Sequence, residues 1–357
     1  MTTPPKDPMN SVTARTRRSR RSRGALAGVA LAGVALAGCG VARIVAPPVT
    51  GVPSESLSVP LRTVACATDN VCVAVGATSA AVAVTTVGEY RTATGGWRAL
   101  VVPTANSPLI TTSSCASDQC LIGGSQLTGD LLWRFDASTA TVSALAAPPQ
   151  GQGVVALSCF ASSSCAMVDS SSTAGHARLS ISHDGGVTWS SPVTLGWAAR
   201  DTISALTCTS ATDCLAVGEA PGRPARVEAT TDAGVTWAPL STPATWSSLT
   251  SLTCRAQLCA GLATTDQGSA LVRSRDAGVT WTTTILPETA TAVSCASAQR
   301  CVLAGASAHG GWLARVNARR VTTVALRYVP STLIALSCGT GVCTAVGPST
   351  LVALART

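Results

Sequence analysis

The chain has 357 residues, room for two or three ordinary domains or for one large repeat architecture. Only 12% of residues are charged and 46% are hydrophobic, which excludes disorder by charge, and the small, Val/Thr-rich composition favours many short strands. The net charge of +8 sits at the front: residues 1–23 carry +6, leaving +2 for everything after and no basic footprint for DNA or RNA.

The first segment reads as an export signal. Six arginines between Arg15 and Arg23 precede the charge-free run 24–38, whose 15 residues fit a signal core and are short for a membrane span of about 20. The run ends in Leu36-Ala37-Gly38-Cys39, which resembles a bacterial lipobox. That resemblance implies cleavage after residue 38, lipidation of Cys39 and anchoring in the cell membrane on its extracytoplasmic face. The expected organisation is a lipoprotein signal peptide at 1–38, a lipidated Cys and Pro/Gly/Val tether at 39–53, and a folded part at 54–357. Twenty-four Arg against one Lys fit the coding bias of a GC-rich genome.

The other 14 cysteines fall into seven close pairs: Cys66/Cys72, Cys115/Cys120, Cys159/Cys165, Cys208/Cys214, Cys254/Cys259, Cys295/Cys301 and Cys338/Cys343. Their first members are 49, 44, 49, 46, 41 and 43 residues apart, a period in the range of propellers and solenoids. Each pair is flanked by apolar, β-like runs, as in ISALTC-TSATD-CLAVG over 203–218. Two such runs joined by four or five residues read as a hairpin, with the cysteines opposite one another and within bridging distance. Disulfides fit an exported chain, each closing a short loop worth roughly 2 kcal/mol. Zinc would need C-x2-C spacings and more than three histidines, so no metal and no cofactor is expected.

Three octapeptides follow three of the hairpins: SHDGGVTW (182–189), TTDAGVTW (230–237) and SRDAGVTW (274–281). In each, the carboxylate (Asp184, Asp232, Asp276) can accept backbone N–H bonds within a turn. The glycine (Gly186, Gly234, Gly278) supplies positive φ, and the tryptophan (Trp189, Trp237, Trp281) can bury against a sheet. Remnants stand at 92–97 and 134–141. These strings resemble the Asp-box (BNR) repeat, and the resemblance extends over about 54–357. It implies a β-propeller with the box on the turn between the third and fourth strands of a blade. In layout the chain is most similar to exported propellers of the photosystem II assembly-factor and sialidase-like type.

The resulting expectation is an all-β, seven-bladed β-propeller with one hairpin disulfide per blade. Only 14 residues follow Cys343, enough for two more strands, so the segment 54–61 is expected to supply the outer strand of the last blade and close the ring.

Disulfide turns and boxes lie at one end of each blade, so the remaining connections gather at the other. There the expected binding face holds Trp197, Arg200, Arg223, Trp246 and Tyr328, with Asp201, Asp266, Glu288 and His309 nearby. The expected function is a non-catalytic binding or assembly scaffold for an envelope protein or glycan. The alternative is a sialidase-like glycoside hydrolase. Such an enzyme needs an arginine cluster, a Tyr–Glu nucleophile pair and an acid, whereas this chain has two Tyr and five Glu, with Glu89-Tyr90 the only adjacent pair. His176, His183 and His309 lack a nucleophile-elbow context.

Overall fold

The computed structural model describes residues 60–355 apart from 80–83, 92–95, 104–107, 150, 172–175, 199, 298–299, 317–320, 325–330 and 349. Cys39, the tether, residues 54–59 and Tyr328 lie outside the described residues.

Described strands form antiparallel sheets in simple sequence order, each starting with an inner strand. The inner strands are Leu61–Thr68, Leu109–Ala116, Gly151–Ala161, Thr202–Cys208, Trp246–Arg255, Thr289–Ser297 and Ala335–Cys338. Each packs on the next, and the last packs on the first. The second strands are apolar runs such as Cys214–Glu219 because neighbouring blades cover both of their faces. Outer strands such as Thr282–Ile285 are exposed throughout. Seven hydrophobic clusters lie between adjacent sheets, so the core is a set of radial seams.

All seven cysteine pairs are disulfides, each between directly opposed residues of the inner and second strands, with Cα atoms 3.9–4.1 Å apart. Most pairs are buried at both cysteines and share one hydrophobic cluster, but inner-strand cysteines also border the middle of the ring. First cysteines such as Cys66, Cys115 and Cys159 line the central opening of the ring. Their partners Cys72 (1% exposed), Cys120 (0%) and Cys165 (4%) are buried in the seams and take no part in that opening. Cys343 of the last sheet is buried in the same way. The reason is position: a second strand is covered on both faces, whereas an inner strand has one edge on the channel. Cys72, Cys120 and Cys165 are therefore core residues.

A glycine four residues after the second cysteine stands at 76, 124, 218, 305 and 347. A Cβ there would come within 1.9–2.3 Å of an inner-strand or preceding-loop carbonyl oxygen. In the third blade that position is Asp169, with irregular register on both sides of it, and in the fifth it is Ala263, opposite Leu249.

The blade count differs from the sequence expectation. Among the described residues the propeller has six four-stranded blades, not seven; the strands after residue 334 form a sheet of three, which carries the remaining disulfide. Counting cysteine pairs overcounted blades because a hairpin with its disulfide needs two strands, whereas a blade needs four. Of the expected N-terminal closing segment 54–61, residues 54–59 lie outside the described residues. Leu61 already belongs to the inner strand of the first blade, opposite Gly76, and Thr350–Ala355 has no described strand beyond it.

Side chains join the first and last described sheets. Asp69 Oδ1, in the first hairpin turn, accepts the N–H groups of Gly341 (2.6 Å) and Val342 (2.8 Å), and Ser337 Oγ accepts the N–H of Cys66 (2.9 Å). Leu61, Val64 and Val346 bury together behind these bonds, with Trp97 against them. The Ser337 bond repeats around the ring: Ser114 Oγ accepts from Cys159, Ser158 from Cys208 and Ser294 from Cys338, at 2.8–3.0 Å. A hydroxyl residue immediately before the first cysteine of a pair therefore clasps the next sheet.

The three octapeptides share one geometry. Asp184 Oδ1 accepts the Thr188 N–H (2.8 Å) and the Ser182 hydroxyl, Oδ2 accepts the Thr188 hydroxyl, and Gly186 N–H donates to Ser182 Oγ. Asp232 and Asp276 repeat the pattern with Thr236 and Thr280. The threonine hydroxyl and N–H hold the Asp184 and Asp276 carboxyls down to about 2, although both are exposed. The glycines have φ of 84–92°, and a Cβ on Gly234 would lie 2.2 Å from Leu179 of the preceding blade. Trp189, Trp237 and Trp281 pack on the seam with that preceding blade. The residue before each glycine also has positive φ, Gly185 in one box and Ala233 and Ala277 in the others.

Two outcomes are expected. Ala233→Gly and Ala277→Gly should each raise stability by about 0.5 kcal/mol, the strain of a left-handed alanine exceeding the entropy cost of glycine, as read by thermal unfolding. Asp69→Ala should lower it by about 1–3 kcal/mol, because two turn N–H groups lose their acceptor. Burial alone would raise the Asp69 pKa, but the Gly341 and Val342 N–H bonds outweigh it and hold it below 3.8. That stabilisation is complete above the ordinary carboxylate range and fades as pH falls through the lowered value. Unfolding curves of the wild type and Asp69→Ala should therefore converge in acid.

Candidate binding face

At the end opposite the disulfides the loops rest on charged networks. In the fourth blade Glu228, 2% exposed, accepts Trp197 Nε1–H at 2.7 Å and pairs with Arg226. Arg226 also bonds Asp201 Oδ2 (2.7 Å) and the Gly196 carbonyl, and its guanidinium carbon lies 5.1 Å from the centre of the Trp197 ring. Asp201, its side chain fully buried, holds Arg223 at 2.6 Å and accepts the Ala198 N–H. Burial alone would raise the Asp201 carboxyl; the Arg226 and Ala198 bonds and the charges of both arginines outweigh it and keep it low. Arg223 ends the chain of contacts with 55% of its side chain in solvent. Removing a partner inside such a network costs about 3–5 kcal/mol, so these loops are held firmly.

A second network lies beside it. Asp169 and Arg178 form a bidentate, buried pair (2.7 and 2.9 Å), and Arg178 also bonds the Pro149 carbonyl. Asp130 of the second blade packs against this pair. Its two oxygens are buried without a well-formed hydrogen bond, the Gly153 N–H offsetting only part of the burial, and a Cβ on Gly151 would lie 1.7 Å from Oδ2, so a larger residue there would have to displace the carboxylate. Burial first, then the charge of Asp169, raises the Asp130 carboxyl to about 6. His176 Nδ1–H donates to the Trp197 carbonyl at 2.9 Å, linking the third blade to the fourth.

The face expected from sequence is therefore rearranged. Trp197 (2% exposed) and Trp246 (0%) are buried and present no ring to solvent. Trp197 closes the seam between the third and fourth blades. Trp246 closes the next, with Nε1–H towards Thr283 Oγ1 (3.3 Å) and its ring edge-on to Trp281 at 5.9 Å. Arg200 and Arg223 are exposed, as are Asp266, Glu288 and His309 on other blades. Sequence reasoning missed Asp130, Asp169, Arg178, Arg226 and Glu228. Their signal was a charge inside an otherwise apolar strand, as in Arg226-Val227-Glu228. Tyr90 packs on Phe135 (centroids 5.6 Å apart), so the single Glu-Tyr pair lies in a seam. Among the described residues no three His, Cys, Asp or Glu side chains gather in a way that could hold a metal.

No family model matches the chain, and no curated protein matches it. Solved structures do. YCF48 bound to D1 peptide is similar with a TM-score of 0.61 at 12% identity, over 85% of this chain and 95% of that one. Virginiamycin B lyase from Staphylococcus aureus gives 0.61 at 11%, over 85% and 99%. The GH74 xyloglucanase from Xanthomonas campestris gives 0.56 at 13%, over 84% of this chain and 53% of that one. Likeness at such identity shows the fold alone, an all-β propeller. The three include a peptide-bound protein and enzymes, so only the site can speak for function.

Asp130 generates a pH prediction. Its folded pKa lies above its unfolded one, so the native state binds the extra proton and stability falls as pH rises from about 4 to about 6. Asp130→Asn should abolish that fall and be more stable than wild type at pH 7.5, as read by denaturant unfolding across pH.

Proposed function

We propose that the chain is an Asp-box propeller lipoprotein, tethered through Cys39 to the extracytoplasmic face of the cell membrane, that acts as a non-catalytic scaffold for an envelope protein or glycan. The observation that carries this reading is the presentation of Arg223. It is pinned at one end by a buried carboxylate, more than half exposed at the other, and accompanied by exposed Arg200 in the loop before Asp201. An arginine ordered before it meets a partner loses little freedom on binding, and arginines are frequent energetic anchors of interfaces. The peptide-bound neighbour is consistent with this use of the fold. The lipobox string and the basic, apolar leader support the tether.

In envelope extracts, cross-linking from the loop face followed by mass spectrometry should capture a partner. Arg200→Ala should weaken capture with unchanged melting, and adding Arg223→Ala should bring the loss to about tenfold or more, roughly 1.4 kcal/mol, while lowering the melting temperature because Asp201 loses a partner. Cys39→Ala should move the protein from the membrane to the soluble fraction. Turnover of sialosides by the wild type would overturn the scaffold reading, as would capture unaffected by loss of both arginines.

A further inference from the structure

A cleft of about 480 Å3 lies between the fifth and sixth blades at the disulfide end. Its lining includes Arg255, Arg273 and Arg275, with Thr282 and Thr284 beside them, and no carboxylate is part of it. Strand register brings the arginines together. Arg255 follows Cys254 on the inner strand, Arg273 stands opposite Ala260 on the third, and Arg275 is the second residue of the octapeptide 274–281. Arg255 Nε–H donates across the cleft to the Cys295 carbonyl of the sixth blade (3.4 Å), while the side chain stays in contact with solvent. Asp276, next to Arg275, has its carboxylate bonded to Ser274 and Thr280 within its own turn.

The repeat provides an internal control. The cleft between the fourth and fifth blades, about 370 Å3, has Thr209, Ala229 and Thr231 at the corresponding positions and no arginine in its lining. The same architecture forms there without guanidinium groups, so the fold does not require arginines at 255, 273 and 275. Arg255 and Arg275 are both exposed at this opening, and the like charges they bring together are what an anionic ligand would offset.

We propose that this cleft is an anion site that takes a phosphate group, carried either by a soluble phosphate ester or by a lipid headgroup. Guanidinium forks match the spacing of phosphate oxygens, and several cations together suit a dianion. The volume is that of a small-molecule site. The inference stands apart from the loop-face scaffold and uses none of its residues.

The test is arginine footprinting of the full chain with phenylglyoxal, read by peptide mass. Probes are inorganic phosphate, glucose 6-phosphate, and vesicles of phosphatidylglycerol, each against chloride at equal ionic strength or phosphatidylcholine vesicles. Modification of Arg255 and Arg275 should slow by about fivefold or more, with Arg200 unchanged. Protection by the soluble probes assigns a soluble ester; protection by anionic vesicles alone assigns a headgroup. Calorimetry with pyrophosphate should show affinity falling about tenfold in Arg255→Gln with Arg275→Gln. If that variant melts early, the wild-type footprint decides. Equal modification rates under all probes and their controls would overturn the proposal.

Discussion

The propeller depends on how its first and last sheets are joined. Asp69 clamps the turn at 341–342, and Ser337 clasps the backbone of Cys66, across more than 270 residues of sequence. Without those bonds the inner strands of a three-stranded sheet and a four-stranded blade would meet with unpaired backbone N–H groups, and burying such groups is costly. The same hydroxyl clasp recurs between other neighbouring sheets, so closure extends a device the ring already uses. Most of the disulfides sit next to a clasp, and each fixes the hairpin that carries it.

The two ends of the blades are stabilised by different means. At the disulfide end the devices are local: a bridge over five or six residues and an octapeptide whose carboxylate, hydroxyls and amides satisfy one another. At the opposite end order comes from buried charges, Asp130 beside Asp169 and Arg178 of the next blade, and Asp201 between two arginines within the fourth. Local devices can be repeated with little regard to neighbours. Buried charge networks cannot, and they differ from blade to blade. That is why the loop end has individual character.

Variation between repeats also separates what the fold needs from what it permits. Glycine stands four residues after the second cysteine in five of the seven sheets, where an inner-strand or preceding-loop carbonyl leaves no room for a Cβ, and Asp169 and Ala263 stand there in the other two. Arg255, Arg273 and Arg275 stand where the preceding blade has Thr209, Ala229 and Thr231, with no change in architecture. The first substitution is controlled by backbone geometry. The second is free, and free positions are where a binding site can be built on a repeat.

Short-range features were legible in the amino-acid sequence because their causes are short-range. Spaced cysteines between apolar runs place partners opposite one another in a hairpin, and the Asp, Gly and Trp of each octapeptide make their turn among themselves. The propeller class follows from repeating such units. Only the tertiary structure decided the number of complete blades, since that depends on which strands find partners rather than on how many hairpins the chain encodes. It also decided which cysteine of a pair faces the channel and which, like Cys72, Cys120 and Cys165, disappears into a seam, because that depends on the neighbouring blades. The fate of Trp197 and Trp246 was decided in the same way. Both stand in sequence as aromatic residues within connections, yet both fill seams, because an indole buries more area between blades than a loop surface can offer it. Asp69 and Ser337 carry no local sign of their role, for each acts on backbone brought from the other end of the chain.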